Sequence, residues 1–226
     1  MSLALAGLGA GAAGLGWIWR REQRRVGLRR GRLLDRCLHL VEGAALIRDG
    51  LDYPLLRGRR AGCGVELRPI ADNAALRKLP ALWLQVTLTG RTGAQGVLDA
   101  LLRPLGTEYW SPHGTLPCCL TVPPELPPAI QVRADGEEGA ALLPLLVEQA
   151  GFLARPTSKE VLITPRGVRL VVQLAEGERG AYLLFRDARF VIDRLVPEEA
   201  EALLDRAAGL LDAVRRRCGG QRLHAA

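Results

Sequence analysis

Apolar side chains recur along this chain at two periods, and the period changes where the element type should change. Between residues 28 and 47 they fall at Leu33, Leu34, Cys37, Leu38, Val41, Ala44, Ala45 and Ile47. That is the spacing of one helical face, and Asp49-Gly50 follows as a stop signal. Residues 53–59 and 64–70 read as strands around a glycine-bearing turn at Arg60-Ala61-Gly62-Cys63-Gly64. Residues 82–88 alternate Leu82, Leu84, Val86 and Leu88 with Trp83, Gln85 and Thr87, as a third strand would. Residues 95–103 read as a short helix.

Seven prolines between Pro104 and Pro128 make that stretch an irregular connection, with a strand at 116–122 inside it. Beyond it the pattern predicts a strand at 129–133, a helix at 139–154 and a hairpin of 161–164 with 168–175 across Pro165-Arg166-Gly167. A third strand at 181–186, extending towards Ile192, is expected next. The last helix, 197–217, is the clearest element. Pro197 opens it, Glu198, Glu199 and Glu201 follow, and Arg215, Arg216 and Arg217 close it, an order that suits the helix dipole. Ala200, Leu203, Leu204, Ala207, Leu210, Leu211 and Val214 form one apolar stripe that should pack on a sheet.

These elements predict an α+β fold. Antiparallel hairpins form one or two small sheets packed by helices, including the long C-terminal amphipathic helix. The organisation expected is an apolar segment at 1–19, an arginine-rich segment and helix at 20–50, and a globular domain at 51–226. That domain has possible halves at 51–122 and 129–217, joined by the Pro-rich connection.

Charge changes this picture at one end only. The chain carries +7, yet eight arginines against Glu22 and Asp35 between Arg20 and Arg36 account for +6 of it. The body is close to neutral, so the pI near 9.7 describes a segment and not a basic binding face. Only Lys78 and Lys159 are lysines, a bias that, with abundant Ala, Leu and Gly, reads as a GC-rich bacterial genome.

Residues 3–19 hold no charge and only Ala, Leu, Gly, Ile and Trp. As a helix they would rise about 25 Å, just under a hydrocarbon core of about 30 Å. Trp17 and Trp19 stand where aromatic side chains favour the interface, and arginines follow at once. The expectation is a single-pass anchor in lipid through residues 3–19, with Arg20, Arg21, Arg24, Arg25, Arg29, Arg30 and Arg32 against headgroups and the domain in the cytoplasm. Ala6, Ala10 and Gly14 add the small-residue spacing that lets such helices pair. A cleaved signal fits less well, because its bases should precede the apolar run. A soluble cytoplasmic protein with a glycine-loosened tail is the alternative localisation.

Gly9-Ala10-Gly11-Ala12-Ala13-Gly14 also satisfies G-x-G-x-x-G, with Asp35 about 20 residues on. Residues 3–16 resemble the phosphate-binding fingerprint of flavin-dependent Rossmann enzymes, which implies a buried parallel strand before the loop and a nucleotide behind it. Leu3-Ala4-Leu5-Ala6 is short and a poor strand former, and the approach to Asp35 is a run of arginines. No cofactor is assigned.

Candidate chemistry is sparse. His39 follows Asp35 by one helical turn, which reads as a helix-face pair. His113, in Tyr109-Trp110-Ser111-Pro112-His113-Gly114, lies in a loop with aromatics, where binding residues often sit. Ser111 beside it lacks a third partner nearby in sequence, and His224 belongs to the tail. Asp72, Arg77 and Lys78 form a charged loop that reads as a solvated connection. Arg166, Arg169, Arg179, Arg186 and Arg189 read as the exposed face of a half-buried sheet. Five dispersed cysteines, Cys37, Cys63, Cys118, Cys119 and Cys218, suggest reduced thiols and neither a disulfide framework nor a zinc site. No catalytic, cofactor-binding or metal residue is assigned.

The function expected is that of a membrane-tethered, non-enzymatic interaction or structural domain with a possible protein partner. A soluble nucleic-acid binder using Arg20–Arg36 is the alternative, and an enzyme with a pocket near His113 the third reading.

Overall fold

The computed structural model describes residues 14, 16, 17, 20, 21, 24–50, 52–73, 78–185 and 188–224. The anchor at 3–19, the glycine fingerprint at 9–14, Arg77 and Arg186 fall largely or wholly outside them. No helix among the described residues is long and apolar enough to cross a membrane.

The fold is α+β, and its sheet is one of nine strands where one or two small ones were expected. The strands are β1 (Glu42–Ile47), β2 (Leu55–Arg60), β3 (Cys63–Asp72), β4 (Ala81–Thr89), β5 (Leu98–Leu102), β6 (Cys118–Leu120), β7 (Ile130–Ala134), β8 (Ser158–Thr164) and β9 (Gly167–Glu176). Their order is β1-β2-β3-β4-β9-β8-β5-β7-β6, and every pairing is antiparallel. Among the described residues no strand pairs in parallel.

Local chemistry explains the first turns. β1 and β2 turn at Asp49-Gly50, where Gly50 has φ +56°. β2 and β3 are joined by Ala61 and Gly62, both at positive φ, between the paired residues Arg60 and Cys63. Such a two-residue turn matches the twist of the strands it links.

The C-terminal helix, Pro197–His224, lies across β4 and β9. Its stripe from Ala200 to Val214 is buried as the periodicity predicts, against Leu84, Val86 and Leu88 of β4 and Val168 and Leu170 of β9. The helix runs past Gly219-Gly220, where the sequence suggested a stop.

Three elements differ from expectation. The helical spacing of Leu33, Leu34, Cys37 and Val41 is real, and all four are buried. It spans a short 3₁₀ helix, Asp35–Leu40, and ends at Val41, which is extended at φ −135°, ψ 141°. Residues 42–47 then pair with β2 as a largely exposed edge strand, so no buried face disciplines their pattern.

Residues 98–102 are a strand, not a helix. β5 is hydrogen-bonded on both sides, to β7 and β8, and all five of its residues are buried. A strand covered on both faces loses its alternation.

Residues 179–185 are a helix, Arg179–Phe185, where a strand was expected. Both edges of β9 are already taken by β4 and β8, which leaves a continuing hairpin no edge to join. The helix expected at 139–154 is three short pieces, Glu137–Ala140, Leu143–Val147 and Ala150–Leu153, and Pro144 near the start of the second has no N–H to donate.

Candidate functional site

The sheet has unlike faces. On the helix side β5, β8 and β9 present Leu98, Ala100, Val161, Ile163, Val168 and Leu170. On the other side they present Asp99, Glu160 and Arg169, next to Gln85 of β4 and Gln131 and Arg133 of β7. Residues 104–117 fold over this polar side.

A bulge builds part of it. Ser158 pairs with Val172 and Glu160 with Val171, so Lys159 is the extra residue on β8. Ser158 turns to the helix side, where its hydroxyl donates to the Phe152 carbonyl at 2.6 Å. Lys159 and Glu160, though consecutive, both serve the covered side. Lys159 Nζ donates to Glu108 Oε1 at 2.6 Å and to the carbonyls of Leu102 and Arg103 at 3.0 Å, and it sits 5.5 Å from the Trp83 ring centroid.

Glu108 in turn accepts from the backbone N–H groups of Leu105 and Gly106. Burial works to raise its pKa, but the Lys159 bond and the Leu105 N–H outweigh that and hold the carboxyl below its usual range. Burial lowers Lys159, against the opposing pull of Glu108.

His113 lies 14 residues from Asp99 in sequence and 2.8 Å from it in space, Nδ1 against Oδ2. Ser111 Oγ donates to the same oxygen at 3.3 Å and accepts the His113 backbone N–H at 3.2 Å. His113 Nε2 faces Gln131 Oε1 at 3.4 Å. The serine therefore supports the carboxylate and is not set up as a nucleophile activated by the histidine. Arg169 Nη1 donates to the Trp110 carbonyl at 3.1 Å, and the Trp110 and Trp83 rings lie 6.5 Å apart.

This layer is under-satisfied. Asp99 Oδ1, both Glu160 carboxyl oxygens, Arg169 Nε, Arg133 Nε, Thr107 Oγ1 and the indole nitrogens of Trp83 and Trp110 are buried without a hydrogen-bond partner in the protein. Glu160 Oε2 is 3.8 Å from Arg169, an ion-pair distance without a hydrogen bond. Asp99 and Glu160 are diagonal neighbours on the β5–β8 pair, since Asp99 faces Leu162, and both are fully buried. Burial foremost, and then the charge of Asp99, push the Glu160 carboxyl up to about 8. Asp99 is raised as well, by burial first, with His113 opposing. Concentrated unpaired polar atoms and displaced carboxyls mark a strained site. A groove of about 680 Å³ reaches it from outside, lined by Thr107, Ser111, His113, Gln131 and Arg133.

The second candidate surface is at the other end of the chain. Residues 24–30 are helical, and Arg25, Leu28, Arg29 and Arg32 meet Asp193 and Arg194 around a cleft of about 520 Å³. Leu28 is 63% exposed there, and Val191, in a neighbouring cleft with Arg29, Arg30 and Arg189, is 80% exposed. Nearer the N-terminus the Arg21 guanidinium lies 5.4 Å over the Trp17 ring.

The remaining sequence candidates separate. Asp35 pairs with Arg48 at 3.4 Å, and exposed His39 shares a shallow cleft with Asp35, Arg194 and Glu198. Lys78, Asp72 and Arg179 line another cleft with Arg103 and with Trp83 and Lys159 of the covered layer. Of the described arginines in the 166–189 group, Arg169 is bonded into the covered layer, and Arg166 is exposed at the turn. Cys118 and Cys119 lie on edge strand β6, and no disulfide forms among the described cysteines. Among the described residues no three His, Cys, Asp or Glu side chains gather as a metal site.

Sequence reasoning singled out His113 but missed Asp99, Glu160, Lys159 and Glu108. A charged residue inside an apolar strand run, as in Leu98-Asp99-Ala100-Leu101-Leu102, was the available signal. No known protein family matches the chain, and no curated protein matches it.

Proposed function

We propose that the protein is a membrane-tethered interaction domain, held to a cytoplasmic membrane face by residues 3–19 and by the arginines behind them. The observation that carries this reading is the surface around residues 24–32. Exposed Leu28 shares a cleft with Arg25, Arg29, Arg32, Asp193 and Arg194, and exposed Val191 lies in a neighbouring cleft with Arg29, Arg30, Arg189, Glu178 and Asp193. An apolar patch edged with guanidinium groups suits the boundary between headgroups and acyl chains. Each basic residue near anionic lipid adds about 1 kcal/mol, reduced by salt.

The test is flotation of the full-length chain with phosphatidylserine-containing and with purely zwitterionic vesicles. The expected result is co-flotation with both through residues 3–19, and tighter, salt-sensitive binding to the anionic ones. Replacing Arg25, Arg29 and Arg32 by Gln should remove the salt-sensitive part alone. A chain that stays in the soluble fraction overturns the reading. If it is retained instead on a polyanion column through Arg20–Arg36, the nucleic-acid alternative replaces it.

One observation favours a second reading. Asp99 fixes Nδ1 of His113 and leaves Nε2 towards the groove wall beside Gln131 and Arg133, an arrangement that suits a general acid or base. Carbethoxylation of His113 in the folded protein, read by mass spectrometry against exposed His39, tests it. An inert His113 beside a reactive His39 ends that reading.

A further inference from the structure

We propose that residues 104–117 form a proton-gated cover over the sheet: while the Asp99–Glu160 pair retains one proton the cover stays shut, and loss of that proton to solvent releases it. It stands apart from the membrane reading, because it rests on different residues.

The geometry has three parts. First, two carboxyl groups from adjacent strands are sealed beneath one loop segment, with Asp99 Oδ1 and both oxygens of Glu160 lacking a hydrogen-bond donor. Like-charged carboxylates in a dry site cannot both ionise cheaply. Second, no neighbour neutralises the pair in full. Glu160 is faced by Asp99 from β5, by Arg169 from β9, by Lys159 on its own strand and by the Ser111 hydroxyl from the cover, which is bonded to Asp99 as His113 is. Arg169 stands off at 3.8 Å and spends Nη1 on the Trp110 carbonyl, while Lys159 is committed to Glu108. Third, the cover is fastened largely by polar contacts to those same groups: Glu108 to Lys159, the Trp110 carbonyl to Arg169, and Ser111 and His113 to Asp99. It begins just past Arg103, whose backbone sits at φ +45° and whose guanidinium is pinned to the carbonyls of Pro156 and Ser158, a fixed post from which the segment can swing.

The direction follows from linkage. With the cover open, Glu160 reaches water and titrates near its usual 4.5, whereas closed it stays protonated up to about 8. The closed form therefore holds the additional proton across that window. Closure is strongest below the lower value, weakens as pH rises between the two, and is weakest above the upper one. The face uncovered would carry Trp83, Asp99 and Arg169 and would merge with the groove at His113.

Hydrogen exchange of the full-length chain, read by mass spectrometry and normalised to intrinsic rates, tests this at pH 5, 6.5 and 8. One proton lost per opening predicts that exchange of peptides within 104–117 rises towards tenfold per pH unit, while peptides from β4 and β9 keep their protection. Glu160→Gln, neutral at every pH, should keep the cover shut and abolish the slope. Flat wild-type exchange overturns the proposal, as does a slope unchanged in Glu160→Gln. Protection lost equally in β4 and β9 also overturns it, since that is global unfolding. Should the variant fail to fold, the wild-type slope decides alone.

Discussion

Lys159 Nζ and Glu108 Oε1 meet 2.6 Å apart, joining a strand bulge to the segment that covers it, with side chains only 2% and 4% exposed. Breaking such a pair from one side strands a charge away from water. Lys159→Met should therefore destabilise the fold by on the order of 3 kcal/mol. The double variant Lys159→Met with Glu108→Leu should recover part of that loss, and denaturant titration of all four forms gives the coupling. Equal stability of the single variant and the wild type would show that the pair contributes nothing.

His113→Ala leaves Asp99, fully buried, with Ser111 as its one side-chain donor. The expected cost is about 2–4 kcal/mol from the uncompensated carboxylate. His113→Gln, which can still donate near Asp99, should cost less. Thermal melts of the two variants side by side distinguish a network contact from a dispensable surface histidine.

Cysteine reactivity should follow burial. Cys37 is enclosed, and burial foremost, aided by Glu198, raises its thiol to about 11. At pH 8 it should resist alkylation in the folded protein, while exposed Cys119 reacts first. Peptide mapping after a short iodoacetamide pulse reads the order directly; early labelling of Cys37 would contradict the packing around the Asp35–Leu40 helix.

Leu204 sits in the centre of the C-terminal helix stripe with no exposed surface. Leu204→Ala should cost about 3 kcal/mol through lost burial and the cavity left behind. A change at exposed Leu183 should cost well under 1 kcal/mol, since a side chain 64% in water has little burial to lose.

Gly167 opens β9 at φ +152°, and a Cβ there would run into the Leu88 carbonyl. Gly167→Ala should destabilise by more than about 1 kcal/mol, since both the backbone region and the space are wrong for a side chain. Unchanged stability would mean that the turn joining β8 and β9 can rebuild.

Much of this architecture was legible in residue order. Hairpins with period-two strands, the glycine turn at Gly62, the turn at Pro165-Arg166-Gly167 and the apolar stripe of the last helix are all local signals, written within one element's length. Asp49-Gly50 marked a turn too, though between two strands and not after a helix. What local pattern could not supply was neighbourhood. Whether residues 98–102 are strand or helix depends on β7 and β8 arriving on either side. Whether residues 179–185 can extend the sheet depends on β4 and β8 having already filled both edges of β9.

The covered polar layer is the sharpest case. Sequence marked His113 as a loop histidine among aromatics and passed over Asp99 as one acid in an apolar run. Composition and order determined that the chain folds as α+β, that its positive charge sits almost wholly before residue 37, and that its C-terminal helix buries one stripe. Only the tertiary structure decided that Asp99, Glu160, Lys159 and Glu108 would share a layer beneath residues 104–117. The physical reason is that a charge buried by long-range strand pairing acquires both its cost and its partners from residues up to 61 positions away, and no local spacing records them.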